Sequence, residues 1–189
     1  MYGPLDERLD EVDAFTTGTI GRPGQRTFFL QVRSGGARFD IKCEKVQVSA
    51  MADFLRNVLQ DLPPAEDRPV DGAMELMPPR SDDFVLGQIA LGYDPHNDRV
   101  VLQLIEVGER DLDDDLDDDD DHDDDDDDDH DELDDDELDD RARIRISITR
   151  SQAAAFCSHA DDVVAAGRPN CRWCGRPIDP DGHYCVRMN

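Results

Sequence analysis

Residues 14–61 read AFTTGTIGRPGQRTFFLQVRSGGARFDIKCEKVQVSAMADFLRNVLQD, and a change of hydrophobic period inside this stretch decides the fold class. Ala14–Ile20 and Thr27–Val32 are rich in β-branched and aromatic residues. The turn Gly21-Arg22-Pro23-Gly24-Gln25 separates them, which predicts a β-hairpin. Ser34-Gly35-Gly36 makes the next turn. Phe39, Ile41 and Cys43 then alternate with Asp40 and Lys42, the period-two signature of a half-buried third strand. From Val46 the period lengthens: Val48, Met51, Phe54-Leu55 and Val58-Leu59 recur at three-to-four spacing. An amphipathic helix is therefore expected to about Asp61, where Pro63-Pro64 stops it.

After a proline-rich crossover, much of this order returns. Phe84–Ile89 opens a strand that ends at the turn Asp94–Asp98, and Val100–Val107 is a continuous apolar strand. Ile144, Ile146 and Ile148 alternate with Arg143, Arg145 and Ser147, and a helix is expected from Ser151 to about Ala166. Phe15-x-x-Gly18-x-Ile20 matches Phe84-x-x-Gly87-x-Ile89 at an offset of 69. Phe39-x-Ile41-x-Cys43-x-Lys45-x-Gln47 matches Ile144-x-Ile146-x-Ile148-x-Arg150-x-Gln152 at an offset of 105. The expected fold is α+β: two tandem β-β-β-α repeats forming antiparallel sheet or sheets with two helices, plus a short C-terminal zinc knuckle. The boundaries are 1–62 for the first repeat, 63–81 for the Pro-rich linker, 82–168 for the second repeat and 169–189 for the knuckle.

The formal charge of −27 is a local feature. Between Asp111 and Asp140, 24 of 30 residues are acidic and none is basic; outside that block 23 acidic residues face 20 basic ones. The block falls between the fifth and sixth expected strands. Its mutual repulsion and scarcity of apolar residues predict a disordered acidic loop at 111–140. Weak divalent-cation binding and mimicry of nucleic-acid charge towards a basic partner are open to it, and its low complexity favours the simpler reading as a solvating tether. His122 and His130 within it are too sparse to define a metal site. Insertion at a hairpin tip costs little, because loop-closure entropy grows slowly with length. No stretch approaches the roughly 20 apolar residues of a membrane-spanning helix. The first residues lack the basic and apolar regions of a secretory signal. Cys43 and Cys157 sit in apolar patterns as free thiols, so the expected address is cytoplasmic.

The strongest chemical signal lies in the tail. Cys171-x-x-Cys174 brings two sulfurs onto one ion, and Asp179-Pro180-Asp181-Gly182 is a turn that can fold His183-x-Cys185 back onto them. Four ligands (Cys171, Cys174, His183 and Cys185) leave no open coordination position, so one structural Zn²⁺ per chain is expected. A tail this short draws most of its folding energy from the metal. The alternatives are a redox Cys-x-x-Cys and a loose tail of unpaired thiols. A redox pair usually opens a helix after a strand, whereas Pro169 and Pro177 flank this one, and His183-x-Cys185 has no role in that reading.

Lys45 with Gln47 and Arg150 with Gln152 stand where each repeat's last strand enters its helix. They are candidate anion or ligand contacts around a cleft between the repeats; the simpler reading has them satisfying helix amides or solvating the strand ends. His96 reads as a turn residue and His159 as a surface or partly buried helix residue. There is no Ser/His/Asp arrangement, Walker-type loop or dinucleotide fingerprint, and no catalytic residue is assigned.

Thr17-Gly-Thr-Ile-Gly, Pro23-Gly24-x-Arg26-Thr27-Phe28-Phe29-Leu30-Gln31, Glu44-Lys45-x-Gln47 and the ending Cys-x-x-Cys-Gly-x-Pro-x-Asp-Pro-x-Gly-His-x-Cys resemble the uncharacterised actinobacterial family known as domain of unknown function 3090. The resemblance covers nearly the whole chain apart from the acidic block. It implies a bacterial cytoplasmic protein and brings no catalytic residues. A long acidic insertion looks like a departure peculiar to this member.

Three functions compete. The first is a non-enzymatic binding or adaptor protein with another protein as partner. The second is an enzyme or ligand-binding protein holding a small anionic molecule between the repeats. The third is nucleic-acid binding through the knuckle, where Trp173 and Tyr184 stack on bases and Arg172, Arg176 and Arg187 meet phosphates. It ranks last, because the acidic block repels a polyanion. No membrane partner is expected.

Overall fold

The computed structural model describes residues 4–63, 72–108, 140–167, 171–176, 178, 182, 184–185 and 187. The acidic block apart from Asp140, and the expected ligand His183, lie outside the described residues. Two three-stranded meanders each run into a helix, as the change of period requires. β2 (Ala14–Ile20), β3 (Thr27–Ser34) and β4 (Ala37–Cys43) lead into α1 (Lys45–Gln60). β5 (Phe84–Asp94), β6 (Arg99–Glu106) and β7 (Arg143–Ile148) lead into α2 (Arg150–Ala165). A strand not expected from the sequence, β1 (Asp6–Leu9), precedes them. Its four residues, Asp-Glu-Arg-Leu, bury almost nothing, so no apolar alternation marks it; backbone pairing alone defines it.

All seven strands form one sheet in the order β1-β7-β6-β5-β4-β3-β2. The expectation of purely antiparallel pairing is corrected at two places. β5 starts parallel to β4, with Ile41 opposite Phe84, and β1 runs parallel to β7, with Leu9 opposite Ile146. Both corrections have one cause: a helix follows β4 and β7, so the chain beside each of these strands comes from elsewhere in the sequence and is not a hairpin return. β1 and β2 occupy opposite edges although only Asp10–Asp13 separates them. Five Cα steps span at most roughly 17 Å, so the sheet must coil until its edges approach each other.

The ladder registers test the internal match. Leu30 faces Thr17 and Ile41, and Leu102 faces Leu91 and Ile146. The two offsets are therefore not carried by the same rungs. An alignment that sets Ile41 against Ile146 sets Thr17 against Leu91, whereas the offset of 69 sets Thr17 against Leu86. The shared glycines serve different needs. A Cβ on Gly18 would lie 2.7 Å from Leu76, whereas one on Gly87, at a β-bulge, would lie 2.5 Å from the Val107 backbone.

One sheet face and both helices make a single core. Phe15, Leu30, Ile41, Leu102 and Ile146 meet Val48, Met51, Leu55 and Phe156 there, all at most 1% exposed. The Phe15 and Phe156 rings stack at 4.6 Å, and the Cys157 thiol reaches the Ala52 carbonyl at 3.4 Å. Small residues at Ala52, Ala153 and Ala160 allow α1 and α2 to approach this closely.

The opposite face of β2–β4 is covered by residues 72–83, which run across it as a strap. Thr16, Gln31 and Asp40 lie on one rung and are all buried. Thr16 Oγ1 donates to the Met74 carbonyl at 2.7 Å. Gln31 Nε2 donates to the Met77 carbonyl at 2.9 Å and to Asp40 Oδ1 at 2.7 Å, while Gln31 Oε1 accepts from the Met77 amide at 3.1 Å. Asp40 Oδ2 accepts from the Arg80 amide at 3.2 Å. The corresponding rung of β5–β7 carries Ala90, Gln103 and Arg145, and Ala90 and Arg145 are exposed. Gln31→Ala should therefore destabilise the protein by about 2–4 kcal/mol, because it strands Met77 and Asp40. Gln103→Ala should stay within about 0.5 kcal/mol of wild type. Urea unfolding of both variants measures the difference.

Candidate metal centre

In the tail, the Sγ atoms of Cys171, Cys174 and Cys185 lie within 4.8 Å of one another, close enough to hold one metal ion. Cys171 and Cys185 are 3.8 Å apart, matching the roughly 3.8 Å between thiolates on a tetrahedral ion with metal–sulfur bonds of about 2.3 Å. The local backbone builds this arrangement. The Gly175 amide donates to the Cys171 carbonyl at 2.8 Å, and the Cys171 amide to the Arg176 carbonyl at 2.7 Å. Gly175 has φ +74°, a left-handed conformation that closes the turn without a Cβ penalty. The Trp173 amide points at Cys171 Sγ at 3.4 Å.

Those amides set the electrostatics. Backbone hydrogen bonds from Cys174 and then Trp173 draw the Cys171 thiol down from 9.0 to about 6, so near neutral pH its sulfur is mostly thiolate, the ligand form. At Cys185 a backbone hydrogen bond from Arg187 lowers the value, but burial and the sulfurs of Cys174 and Cys171 raise it on balance. Around the cluster, Arg172 lies 4.9 Å over the Trp173 ring, and Arg187 donates to the Trp173 carbonyl at 3.0 Å. Trp173 and Tyr184 are 49% and 74% exposed.

The strand-to-helix junctions carry two matching capping boxes. Gln47 Oε1 accepts from the Glu44 amide, and Gln152 Oε1 from the Thr149 amide, each at 2.8 Å. Each carboxamide then reaches the strand lying parallel to the one before its helix, or that strand's continuation. Gln47 Nε2 donates to the Leu86 and Gly87 carbonyls at 3.0 and 3.2 Å, and Gln152 Nε2 to the Val12 carbonyl at 2.6 Å. Arg150 is held by Asp98, with Nη2 at 2.8 Å from Oδ2, and by the Pro63 carbonyl. Lys45 is exposed. The four residues are thus placed at two separate junctions, and the amides of both glutamines are engaged with backbone.

His96 is exposed in its turn, where Asp94 Oδ1 accepts its amide at 2.9 Å. His159 Nε2 lies 2.9 Å from the Thr17 carbonyl, which ties α2 to β2. Sequence reasoning missed Arg33, Arg38 and Arg80, which line one cavity of about 530 Å³ under the strap. Arg33 and Arg38 occupy ordinary solvent-facing positions of a strand pattern and Arg80 sits in a proline-rich segment, so no spacing links them.

The two remaining cysteines are core residues. Burial, then the Glu44 carboxylate, pushes the Cys43 thiol from 9.0 up to about 12; burial likewise raises Cys157. The unfolded chain therefore sheds the Cys43 proton first, and stability falls as pH rises from about 9 towards 12, by about 1.4 kcal/mol per pH unit from this group. Cys43→Val should flatten that slope in urea titrations at alkaline pH; an unchanged slope would assign it to other groups.

A family model described as "Protein of unknown function (DUF3090)" matches residues 7–185. No curated protein and no solved structure matches. No described helix is long and apolar enough to cross a membrane.

Proposed function

The chain belongs to the DUF3090 family of unknown function, and on that premise we propose that it is a non-enzymatic binding or adaptor protein whose C-terminal segment closes around one structural zinc ion. The convergence of Cys171, Cys174 and Cys185 within 4.8 Å carries this reading. Three thiolate-forming ligands suit a borderline-soft, redox-inert ion with tetrahedral preference, and His183 supplies the fourth. A closed shell leaves the metal nothing to catalyse, so its work is to hold the tail's surface in shape. That surface presents Trp173 and Tyr184 beside Arg172, residue types enriched where proteins meet proteins. We therefore assign the partner as another protein, and the address as the reducing cytoplasm, where Cys43 and Cys157 remain free thiols.

The two halves are best read as copies of one β-β-β-α unit. Support comes from the 105-residue offset that carries Gln47 onto Gln152 and from the identical double role of those two side chains. In this reading Lys45, Gln47, Arg150 and Gln152 serve the junctions of the fold and not a ligand.

Elemental analysis and native mass spectrometry of protein purified without chelators should find one zinc per chain, and none in Cys171→Ser plus Cys174→Ser. Because protons compete for the thiolates, zinc affinity measured against a competing chelator should fall as the pH is lowered. A metal-free wild-type protein would sink the zinc reading and leave Cys171-x-x-Cys174 to be tested as a redox pair.

A further inference from the structure

We propose that the cavity between the strap and the outer face of β3 and β4 binds a small organic molecule through an oxyanion, a carboxylate or a phosphate monoester. The cavity is about 530 Å³, inside the range of about 300–1,000 Å³ typical of small-molecule sites and too roomy for an inorganic ion alone. Three guanidinium groups, Arg33, Arg38 and Arg80, line it against one carboxylate, Asp13. Asp13 is already occupied, since its Oδ2 accepts from the Gly35 amide at 2.9 Å. A second carboxylate, Asp40, stands behind the wall and holds Arg38 Nη2 at 2.9 Å.

The Arg33 and Arg38 guanidinium groups are fixed in advance, and Arg33 and Arg80 still have donors to give. Arg33 Nη2 donates to the Gly72 and Ala73 carbonyls at 3.2 and 2.9 Å, which locks its plane against the strap. Its Nε is buried and has no acceptor among the described residues. Leaving such a hydrogen unpaired costs about 1–3 kcal/mol, and a ligand oxygen would remove that cost. The backbone of Arg80 is pinned to Asp40 through its amide at 3.2 Å, at the cavity's edge. Its exposed side chain makes no hydrogen bond or ion pair with the described residues. The remaining wall is apolar, from Ala14, Ala37, Ala73 and Met77. Met77 is 43% exposed and adaptable in shape, suited to a ligand body of a few carbon atoms. Preorganised arginines beside an apolar wall recognise an anionic group attached to a carbon skeleton, and Arg forks match both carboxylate and phosphate.

The test uses the full-length protein with phenyl phosphate, benzoate and inorganic phosphate as probes, followed by ¹⁵N–¹H correlation spectra and calorimetry. Saturable binding of one organic probe is expected, with shifts gathered on the amides of Gly35, Gly36, Gly72 and Arg80. The tighter of phenyl phosphate and benzoate identifies the headgroup. Arg80→Ala should weaken that binding about tenfold, the loss of one charge-assisted contact, while the thermal midpoint of the unliganded protein stays unchanged. Arg33→Ala is a poorer probe because it also loosens the strap. The proposal is overturned by no shift at about 10 mM probe, a concentration that reveals millimolar affinity. It is equally overturned by inorganic phosphate binding as tightly as phenyl phosphate, or by affinity that Arg80→Ala leaves unchanged. None of these outcomes depends on the metal content of the tail.

Discussion

A carboxamide buried inside a fold must find every partner among the residues that adjoin or cover it, and Gln31 is such a group. It is 0% exposed, with Asp40 beside it on the same rung and Met77 bonded to it through both amide and carbonyl. Without residues 72–83 in place, Thr16, Gln31 and Asp40 would sit on a face that water could solvate. With the strap in place each has a partner, and the strap's own backbone, which belongs to no ladder, is satisfied in return. The interaction is reciprocal: the row cannot be buried without the strap, and the row supplies hydrogen-bond partners to the strap's backbone at Met74, Met77 and Arg80. It also forms the cavity, because Arg33, Arg38 and Arg80 come together only when the strap crosses β3 and β4.

A second constraint acts through the helices. Gln47 and Gln152 each cap a helix and hold the chain that lies alongside the preceding strand. This ties helix, strand and parallel neighbour at both places where the sheet departs from a simple meander. At the second of these junctions the held carbonyl belongs to Val12, in the short connection between the sheet's two edges. The curl of the sheet, the packing of Phe15 on Phe156 and the approach of His159 to Thr17 are geometrically consistent with one another. An exposed ion pair, Arg56 with Asp161, also bridges the helices, but solvent screening leaves such pairs little energy.

The tail follows a different physics. Its order comes from backbone amides aimed at sulfur and a glycine turn, in a segment too short to supply an apolar core of its own. Amides that stabilise a thiolate at Cys171 are what a metal ligand needs, and they act opposite to the burial that keeps Cys43 protonated. The same element therefore has two chemistries in one chain, separated by whether hydrogen-bond donors or hydrocarbon surround it.

Local pattern was enough to read the strands Ala14–Ile20 and Ile144–Ile148, the helix over Val48, Met51 and Leu55, and the clustering of Cys171, Cys174 and Cys185. In each case the deciding physics spans only a few neighbouring residues: alternation across a pleat, recurrence along a helix face, or two ligands on one turn. The charge-rich β1, the parallel joins at Phe84 and Leu9 and the grouping of Arg33, Arg38 and Arg80 were decided by the tertiary structure alone. Each depends on backbone pairing or close approach between residues far apart in the chain. An amide that bonds a strand leaves no mark on composition, and a polar residue facing a strap looks, in sequence, like one facing water.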